Sequence, residues 1–493
     1  MSLSKLEDQG SVTLPRRDMY YGGAWHAPSS GRYVASVNPA SGAEIALVAD
    51  GSKSDVDRAV EEARLGFKVW RDVSPLERAA LLRRIANVVR QNAAELADLD
   101  AEDCGNPVRE LAADSMAAAV LLDFFAGLVT EIKGSSVPVG PQGVNFSVRQ
   151  PFGVVARILA FNHPFLFCAG KIAAPLAAGN AVIVKPSEQA PLSALRFAEM
   201  IDGILPQGVF NVVTGGAEVG AALASHPKVG KVALVGSVGA GRAVMKSASE
   251  TIKPVLLELG GKNALIAFPD ADPDEVANAI VAGMNFAWCG QSCGSTSRAF
   301  IHQDIHDQVV AKIADAAARF VPGDPSDERT TMGALISGAQ HQKVLTYIDS
   351  AIEEGATLLT DGRVLEGGNL ANGFFVGPTV FTGVTPSMRI AQEEIFGPVV
   401  SVLQWSDEEE MIEAVNSVDY GLTCSIWTHD LGHAHRTARE IDAGYIWVNE
   451  ISRHLLGAPF GGFKQSGIGR EESIEELIAF TQEKNIFISL KKP

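Results

Sequence analysis

"GVVARILAF" (Gly153–Phe161), "NAVIVKP" (Asn180–Pro186), "GVFNVVTG" (Gly208–Gly215), "KVALVGS" (Lys231–Ser237) and "PVLLELGG" (Pro254–Gly261) are five short, β-rich apolar runs within one stretch of chain. Ala- and Leu-rich segments such as "AGKIAAPLAAG" (Ala169–Gly179) and "APLSALRFAEMI" (Ala190–Ile201) lie between them. Strands that alternate with helices predict right-handed βαβ units and a parallel sheet covered on both faces. The alternation resumes after Lys262 with "NALIAF" (Asn263–Phe268) and a helical stretch, Asp272–Trp288, where Asp272 suits the N-cap and Pro273 the first helical position. The helix "DQVVAKIADAAARF" (Asp307–Phe320) and the strand "GPVVSVLQ" (Gly397–Gln404) follow. A second α/β domain is therefore expected to begin near residue 262.

Outside this body the pattern changes. "SPLE" (Ser74–Glu77) has the parts of a capping box, and Leu76, Ala80, Leu81, Ile85, Val88 and Val89 recur at helical spacing until "GNP" (Gly105–Pro107) ends the helical region. In residues 136–150, Val144, Phe146 and Val148 alternate with Asn145, Ser147 and Arg149, the period of a half-exposed strand in a protruding hairpin. "NIFISL" (Asn485–Leu490) is a second such strand. The two can pair with each other or with another subunit, and ordinary edge strands fit the pattern equally.

At 493 residues, two or three domains are expected. Lys and Arg number 41 against 58 Asp and Glu, and the net charge of −17 argues against nucleic-acid or anionic-membrane partners. Five scattered cysteines (Cys104, Cys168, Cys289, Cys293 and Cys424) suit a reducing compartment. The opening "MSLSKLEDQG" has no apolar signal region, and no run approaches the ~18 apolar residues of a membrane span, so the reading is cytoplasmic.

Ligands of parallel sheets bind beyond the carboxyl ends of the strands, which singles out Phe161–Asn162, Lys185–Glu188 and Gly236–Gly241. The G-x-G-x-x-G fingerprint is absent. "GSVGAG" (Gly236–Gly241) follows a strand and can present backbone amides to a phosphate, and it equally suits a tight turn that needs glycine for steric reasons. "KPSE" (Lys185–Glu188) can hold ribose hydroxyls, or serve as a solvated strand exit with a helix N-cap at Ser187.

"FAWCGQSCGSTSR" (Phe286–Arg298) sets two cysteines four residues apart. Cys293 lies among Gly and Ser, where backbone amides can approach a thiolate, whereas Cys289 follows Trp288 in an apolar setting. No second Cys or His pair stands nearby, so no metal site is expected. Glu258 in "LELGGK" (Leu257–Lys262) ends a very apolar strand, where desolvation would raise it toward the range of a general base; the amides of Gly260–Gly261 could instead satisfy it. Asn162 in "AFNHPF" (Ala160–Phe165) can offer an amide to an oxyanion or form an Asx-turn.

"LELGGKNA", "FAWCGQSCGSTSR", "AFNHP", "NAVIVKPSE", "EEIFGP" (Glu393–Pro398) and "PFGGFKQSGIGRE" (Pro459–Glu471) together resemble, in order, the signature blocks of the aldehyde dehydrogenase superfamily, from about residue 20 onward. The resemblance implies two α/β domains with parallel sheets, plus a small β domain. These are a variant Rossmann nucleotide-binding domain (1–132 and 151–261), a catalytic domain (262–475) and an oligomerisation domain (133–150 and 476–493). It makes Cys293 the nucleophile, Glu258 the base and Asn162 an oxyanion donor, with Lys171 and Glu471 at a proton relay behind the base. Lys185, Ser187 and Glu188 fall at the adenosine ribose, Gly236 and Ser237 at the pyrophosphate, and Glu394 and Phe396 at the nicotinamide ribose. Ile158, Phe161, Gly216, Leu259 and Gly260 complete the cofactor cleft.

The implied reaction is oxidation of a small-molecule aldehyde to the acid with NAD+, or NADP+, through a thiohemiacetal and a thioester. Family members that pass the acyl group to coenzyme A generally lack the glutamate matched by Glu258, so hydrolysis is favoured over that alternative. Glu188 favours NAD+, because a carboxylate beside the ribose 2′ position repels a phosphate. By position, His163, Phe167, Trp288, His454 and Phe460 belong near the substrate, with Arg453 adjacent; Arg453 and His454 can receive a substrate carboxylate, and a surface role for Arg453 is favoured. Ser295, His163 and Phe161 depart from the family's usual residues. A homodimer or homotetramer is implied. A thiol hydrolase or acyltransferase built on Cys293 would need a histidine motif that is not visible, and would not need "KPSE" or "EEIFGP".

Overall fold

The computed structural model describes residues 13–365 and 370–490. The N-terminal decapeptide read above lies outside the described residues. Five of the β-rich runs form the centre of an eight-stranded sheet, in the order Phe210–Val212, Ala181–Lys185, Val154–Ile158, Lys231–Gly236 and Val255–Leu259, all parallel. An antiparallel hairpin, Met19–Tyr21 with Ala24–His26, closes one edge, and Gly467–Ile468 runs antiparallel along the other.

The strands read as unbroken apolar runs because both faces are covered. Val154, Ala156, Ile158, Ala181 and Ile183 point into one core, and the alternate residues Val155, Val182 and Val184 into another. Arg157 falls on the second face and is fully buried.

A seven-stranded sheet begins with Ala264–Ala267. Its strands lie in the order 357–360, 379–382, 399–405, 298–302, 264–267, 423–427 and 445–448, parallel except for the first pair. The two alternating segments pair with each other. Thr481–Ser489 lies antiparallel to Gly143–Pro151 in unbroken register, with Ser136–Val137 on the far side. Each strand is longer than its alternation suggested.

Other readings need correction. The Ser74 capping box is present, but its helix is Pro75–Gln91, and a second helix, Ala93–Cys104, starts before "GNP". Its buried face is Ala79, Leu82, Ile85, Ala86 and Val89, whereas Leu76 is 69% exposed, because the first turn projects beyond the core. The helix capped by Asp272 ends at Gly283, where Met284 and a left-handed Asn285 (φ 55°) lead into a short 3-10 turn, Phe286–Trp288. No helix among the described residues is long and apolar enough to cross a membrane.

Candidate active site

The strand Val255–Leu259 delivers Glu258 to the carboxyl end of the first sheet, with Val235 beside it on one strand and Gly467 on the other. Gly467 (φ 146°) has no room for a side chain, since a Cβ there would meet the Leu257 carbonyl at 2.1 Å. Glu258 is buried, and its Oε1 has no hydrogen-bond partner within the protein. Desolvation pushes its pKa up to about 8, against the lowering influence of Cys293. The Gly261 amide, one of the two that sequence reading offered to Glu258, donates instead to Glu394 Oε1 at 3.0 Å.

Cys289 and Gly290 adopt left-handed conformations, and the turn that follows carries Cys293. Asn263 Nδ2 staples this turn by donating to the carbonyls of Cys293 (2.7 Å) and Ser295 (3.0 Å). Cys293 is half-buried, and burial followed by the Glu258 charge pushes its thiol well above the usual range. Cys289 is fully enclosed and its Sγ donates to the Gly333 carbonyl at 2.8 Å, the setting of an inert thiol. Asn162 is buried, and Asn106 Nδ2 holds its carbonyl at 2.8 Å. The Ser295 hydroxyl turns away to the Gly290 carbonyl, at 3.2 Å.

Asn162, Glu258 and Cys293 line one cavity of about 540 Å3. Every residue assigned above to the cofactor lines it too, except Leu259, which packs against Gly241. Lys185 Nζ donates to Glu188 Oε2 at 2.8 Å. The Ser187 hydroxyl accepts from the Gln189 amide at 3.2 Å, so it forms a tight turn rather than a helix cap; the next helix starts at Leu192. Ser237 caps the helix Val238–Ser249 through the Ala240 amide, so the start of this helix faces the cavity.

A carboxylate–ammonium pair, a helix N-terminus and a second carboxylate at Glu394 make a donor set that fits a dinucleotide. Sequence reading missed Gly220, Val244, Gln340 and Lys343 on the same walls; single helix residues of this kind carry no motif.

The five residues assigned to the substrate form two aromatic groups outside that cavity. His163 packs 5.3 Å from Trp288 and 5.4 Å from Phe167, and its Nδ1 meets Asp114 Oδ2 at 2.6 Å. His454 packs 4.5 Å from Phe460, and its Nδ1 meets Glu472 Oε2 at 2.9 Å. Lys171 links the groups, with Nζ 5.9 Å from the Phe167 ring centroid and 4.0 Å from Glu472 Oε1. Arg453 is exposed beside Glu450, as assigned.

Lys171 also donates to Glu471 Oε2 at 2.8 Å in a buried ion pair. Burial alone would lower Lys171, but the charges of Glu471, Glu472 and Glu476 outweigh it and hold the ammonium protonated. Glu471 in turn is held ionised, because Lys171 and Arg157 outweigh its desolvation.

The aldehyde dehydrogenase family model matches residues 25–486. The chain is 50% identical over 481 residues to the aldehyde dehydrogenase tropH of Talaromyces stipitatus, covering 96% of this chain and 93% of that one. A putative aldehyde dehydrogenase from Burkholderia cenocepacia superposes with a TM-score of 0.94 at 37% identity, over 96% of this chain and 97% of that one. The indole-3-acetaldehyde dehydrogenase AldA of P. syringae, a cysteine-to-alanine mutant with NAD+ and IAA, does so with a TM-score of 0.93 at 36% identity, over 97% of each chain. The chain therefore belongs to the aldehyde dehydrogenase family, NAD-dependent oxidoreductases that convert aldehydes to carboxylic acids.

Proposed function

We propose that Cys293 is the nucleophile, Glu258 the general base and Asn162 the oxyanion donor of a hydrolytic aldehyde dehydrogenase. The carrying observation is that Cys293, Glu258 and Asn162 line one cavity, in which the Glu258 charge raises the Cys293 thiol. The thiol gives its proton to Glu258, and sulfur bonds to the aldehyde carbon. Asn162 Nδ2 and the Cys293 amide donate to the resulting oxyanion. NAD+ held at the walls named below would supply the hydride acceptor, and collapse of the oxyanion with loss of hydride from that carbon leaves the acyl group on Cys293 as a thioester. With its proton released, Glu258 takes another from water, the hydroxide oxygen bonds to the thioester carbon, and the acid leaves as the thiolate is restored. Lys171 and Glu471 serve the exchange of protons behind Glu258.

The walls that would hold the cofactor are the Lys185–Glu188 pair at the adenosine ribose, Ser237 at the pyrophosphate, and Glu394 with Phe396 at the nicotinamide ribose. Glu188 makes NAD+ preferred over NADP+. The substrate is an aldehyde bearing a flat, unsaturated group, supported by the packed rings of His163, Phe167 and Trp288, of which His163 follows Asn162 directly in the chain. Relation to an indole-3-acetaldehyde dehydrogenase agrees with this. The protein works as a homo-oligomer in the cytoplasm, through the sheet of residues 136–151 and 481–489, with the nucleotide-binding and catalytic domains bounded near residue 262.

The test is reduced-nicotinamide formation with aromatic and aliphatic aldehydes, with NAD+ and NADP+ separately and without coenzyme A. Turnover that favours aromatic aldehydes and vanishes in Cys293→Ala is the expected result. Activity only when coenzyme A is added would overturn the hydrolytic reading.

A further inference from the structure

Arg157 stands mid-strand in Val154–Ile158, wholly buried. A charge in such a place must be paired. Nη1 donates to Glu471 Oε1 at 2.9 Å and Nη2 to Glu476 Oε1 at 2.6 Å, with the guanidinium 4.8 Å from the centroid of Phe480. Lys171 takes the other oxygen of Glu471, so each oxygen of that carboxylate is held by a different cation. The other oxygen of Glu476 accepts from the Glu472 amide at 2.8 Å. Arg157 is thus a clamp between two carboxylates that are five residues apart in sequence.

The clamp reaches the catalytic carboxylate. Glu258 pairs in register with Gly467, four residues before Glu471, and the Glu471 backbone is fixed by two hydrogen bonds with Phe460. Glu471 and Lys171 act on Glu258 in opposite senses, the first raising and the second lowering its proton affinity. The charged groups facing Glu471 come from every packed element: Arg157 from the strand, Lys171 from the end of the helical turn Leu166–Gly170, Glu476 from the helix Ile474–Ala479 and Glu472 from just before it. Lys231, on the neighbouring strand, lies 5.4 Å from the Phe480 ring, and His454 pairs with Glu472. With Arg157, Lys171, Glu471 and Glu476 all ionised, positive and negative charge balance. A proton on Glu476 leaves one positive charge in excess.

We propose that Arg157 and Glu476 are positioning residues for thioester hydrolysis: through Glu471 and Lys171 they set the electrostatic field at Glu258, an inference that rests on Glu258 being the base. Burial and the Glu471 charge push Glu476 up to about 7, so its charge changes within the working range of Glu258.

The experiment follows acyl-enzyme breakdown by rapid quench across pH in the full-length enzyme with NAD+, for Glu476→Gln, Arg157→Gln, Arg157→Lys and Glu258→Gln. Removing the negative charge of Glu476 is expected to move the ascending limb of hydrolysis to lower pH by roughly one unit, and removing Arg157 to move it up by a similar amount. Arg157→Lys returns it toward wild type, and the Arg157 and Glu476 variants keep a burst of reduced nicotinamide, whereas Glu258→Gln slows it. A purely structural role would alter melting temperature and active fraction without shifts of opposite sign. Should Arg157→Gln not fold, Glu476→Gln decides alone: a limb that stays put or moves up overturns the inference. Glu258→Gln separates the two ideas. If it hydrolyses the acyl-enzyme with the wild-type pH profile, the base assignment fails; if it only accumulates acyl-enzyme while the other variants shift nothing, the Arg157 inference alone fails.

Discussion

Cys293 and Glu258 line one cavity and each shifts the other's hold on a proton, the carboxylate raising the thiol and the thiol lowering the carboxyl. Burial opposes charge on both. A thiolate therefore forms only as Glu258 becomes able to accept the proton. Alkylation of Cys293 by iodoacetamide in the cofactor-free enzyme should be slow at pH 7 and accelerate as Glu258 ionises near its pKa of about 8. In Glu258→Gln that limb disappears and only the far higher titration of the thiol remains. Peptide mass spectrometry measures the rates, and an identical profile in the variant would contradict the coupling. Cys289, enclosed and bonded to Gly333, should stay unmodified under native conditions.

Two further carboxylates bear on stability. Asp100 accepts the Phe165 amide and Asp103 the Leu192 amide, and desolvation raises them to about 8 and about 7 respectively. A raised carboxyl binds its proton more tightly when folded. Its stabilising contribution is complete below the unfolded pKa near 4 and is lost as pH rises to the folded value. For Asp100 the loss is about 1.4 kcal/mol per pH unit across that window. Asp100→Asn still accepts the Phe165 amide but has no proton to lose. It should flatten the fall in melting temperature between pH 5 and 8 and exceed wild type at pH 8. A variant curve parallel to wild type would sink the assignment.

How much of this was legible depended on distance along the chain. The parallel sheet could be read because each strand is a short apolar run broken by helix, a signal contained within a few residues. The three-residue strands Met19–Tyr21 and Ala24–His26 are too short to show a period, and the Leu76 face was misjudged because spacing does not reveal where a core ends. In the site, Cys293, Glu258 and Asn162 sit in local motifs. Their supports do not: Asn106 reaches Asn162 across 56 residues, Asn263 holds Cys293 across 30, and Arg157 meets Glu476 across 319. Asp114 beside His163 was invisible for the same reason. Nothing local marks a buried arginine in an apolar strand as a ligand of two distant carboxylates.

On the proposed assignment cofactor choice turns on Glu188, whose carboxylate lies at the cavity beside Lys185 and is held ionised, since the Lys185 charge and hydrogen bond outweigh desolvation. Its side chain is about half exposed, so its repulsion of a 2′-phosphate is screened to roughly 1–2 kcal/mol. Glu188→Gln should therefore raise kcat/KM for NADP+ relative to NAD+ by about tenfold, while the rate with saturating NAD+ changes little. Initial rates with each cofactor decide it. An unchanged ratio would move the selection to another wall residue.

The three-stranded sheet leaves apolar side chains uncovered. Phe487 is 58% exposed and Ile488 45%, and Val144, opposite Ile488 in register, is 43% exposed. Strand edges with such side chains are sites of pairing with another chain, and single polypeptides seldom leave them bare. A second copy of the chain is the simplest cover. Phe487→Asp sets a carboxylate on this small sheet without touching either large one, so the monomer should still fold and bind NAD+. The wild-type protein should show a dimeric or tetrameric mass by light scattering, and the variant a smaller one with a lower melting temperature. A variant of unchanged mass would assign the contact to another surface, and a monomeric wild type would remove the oligomer from the proposal altogether.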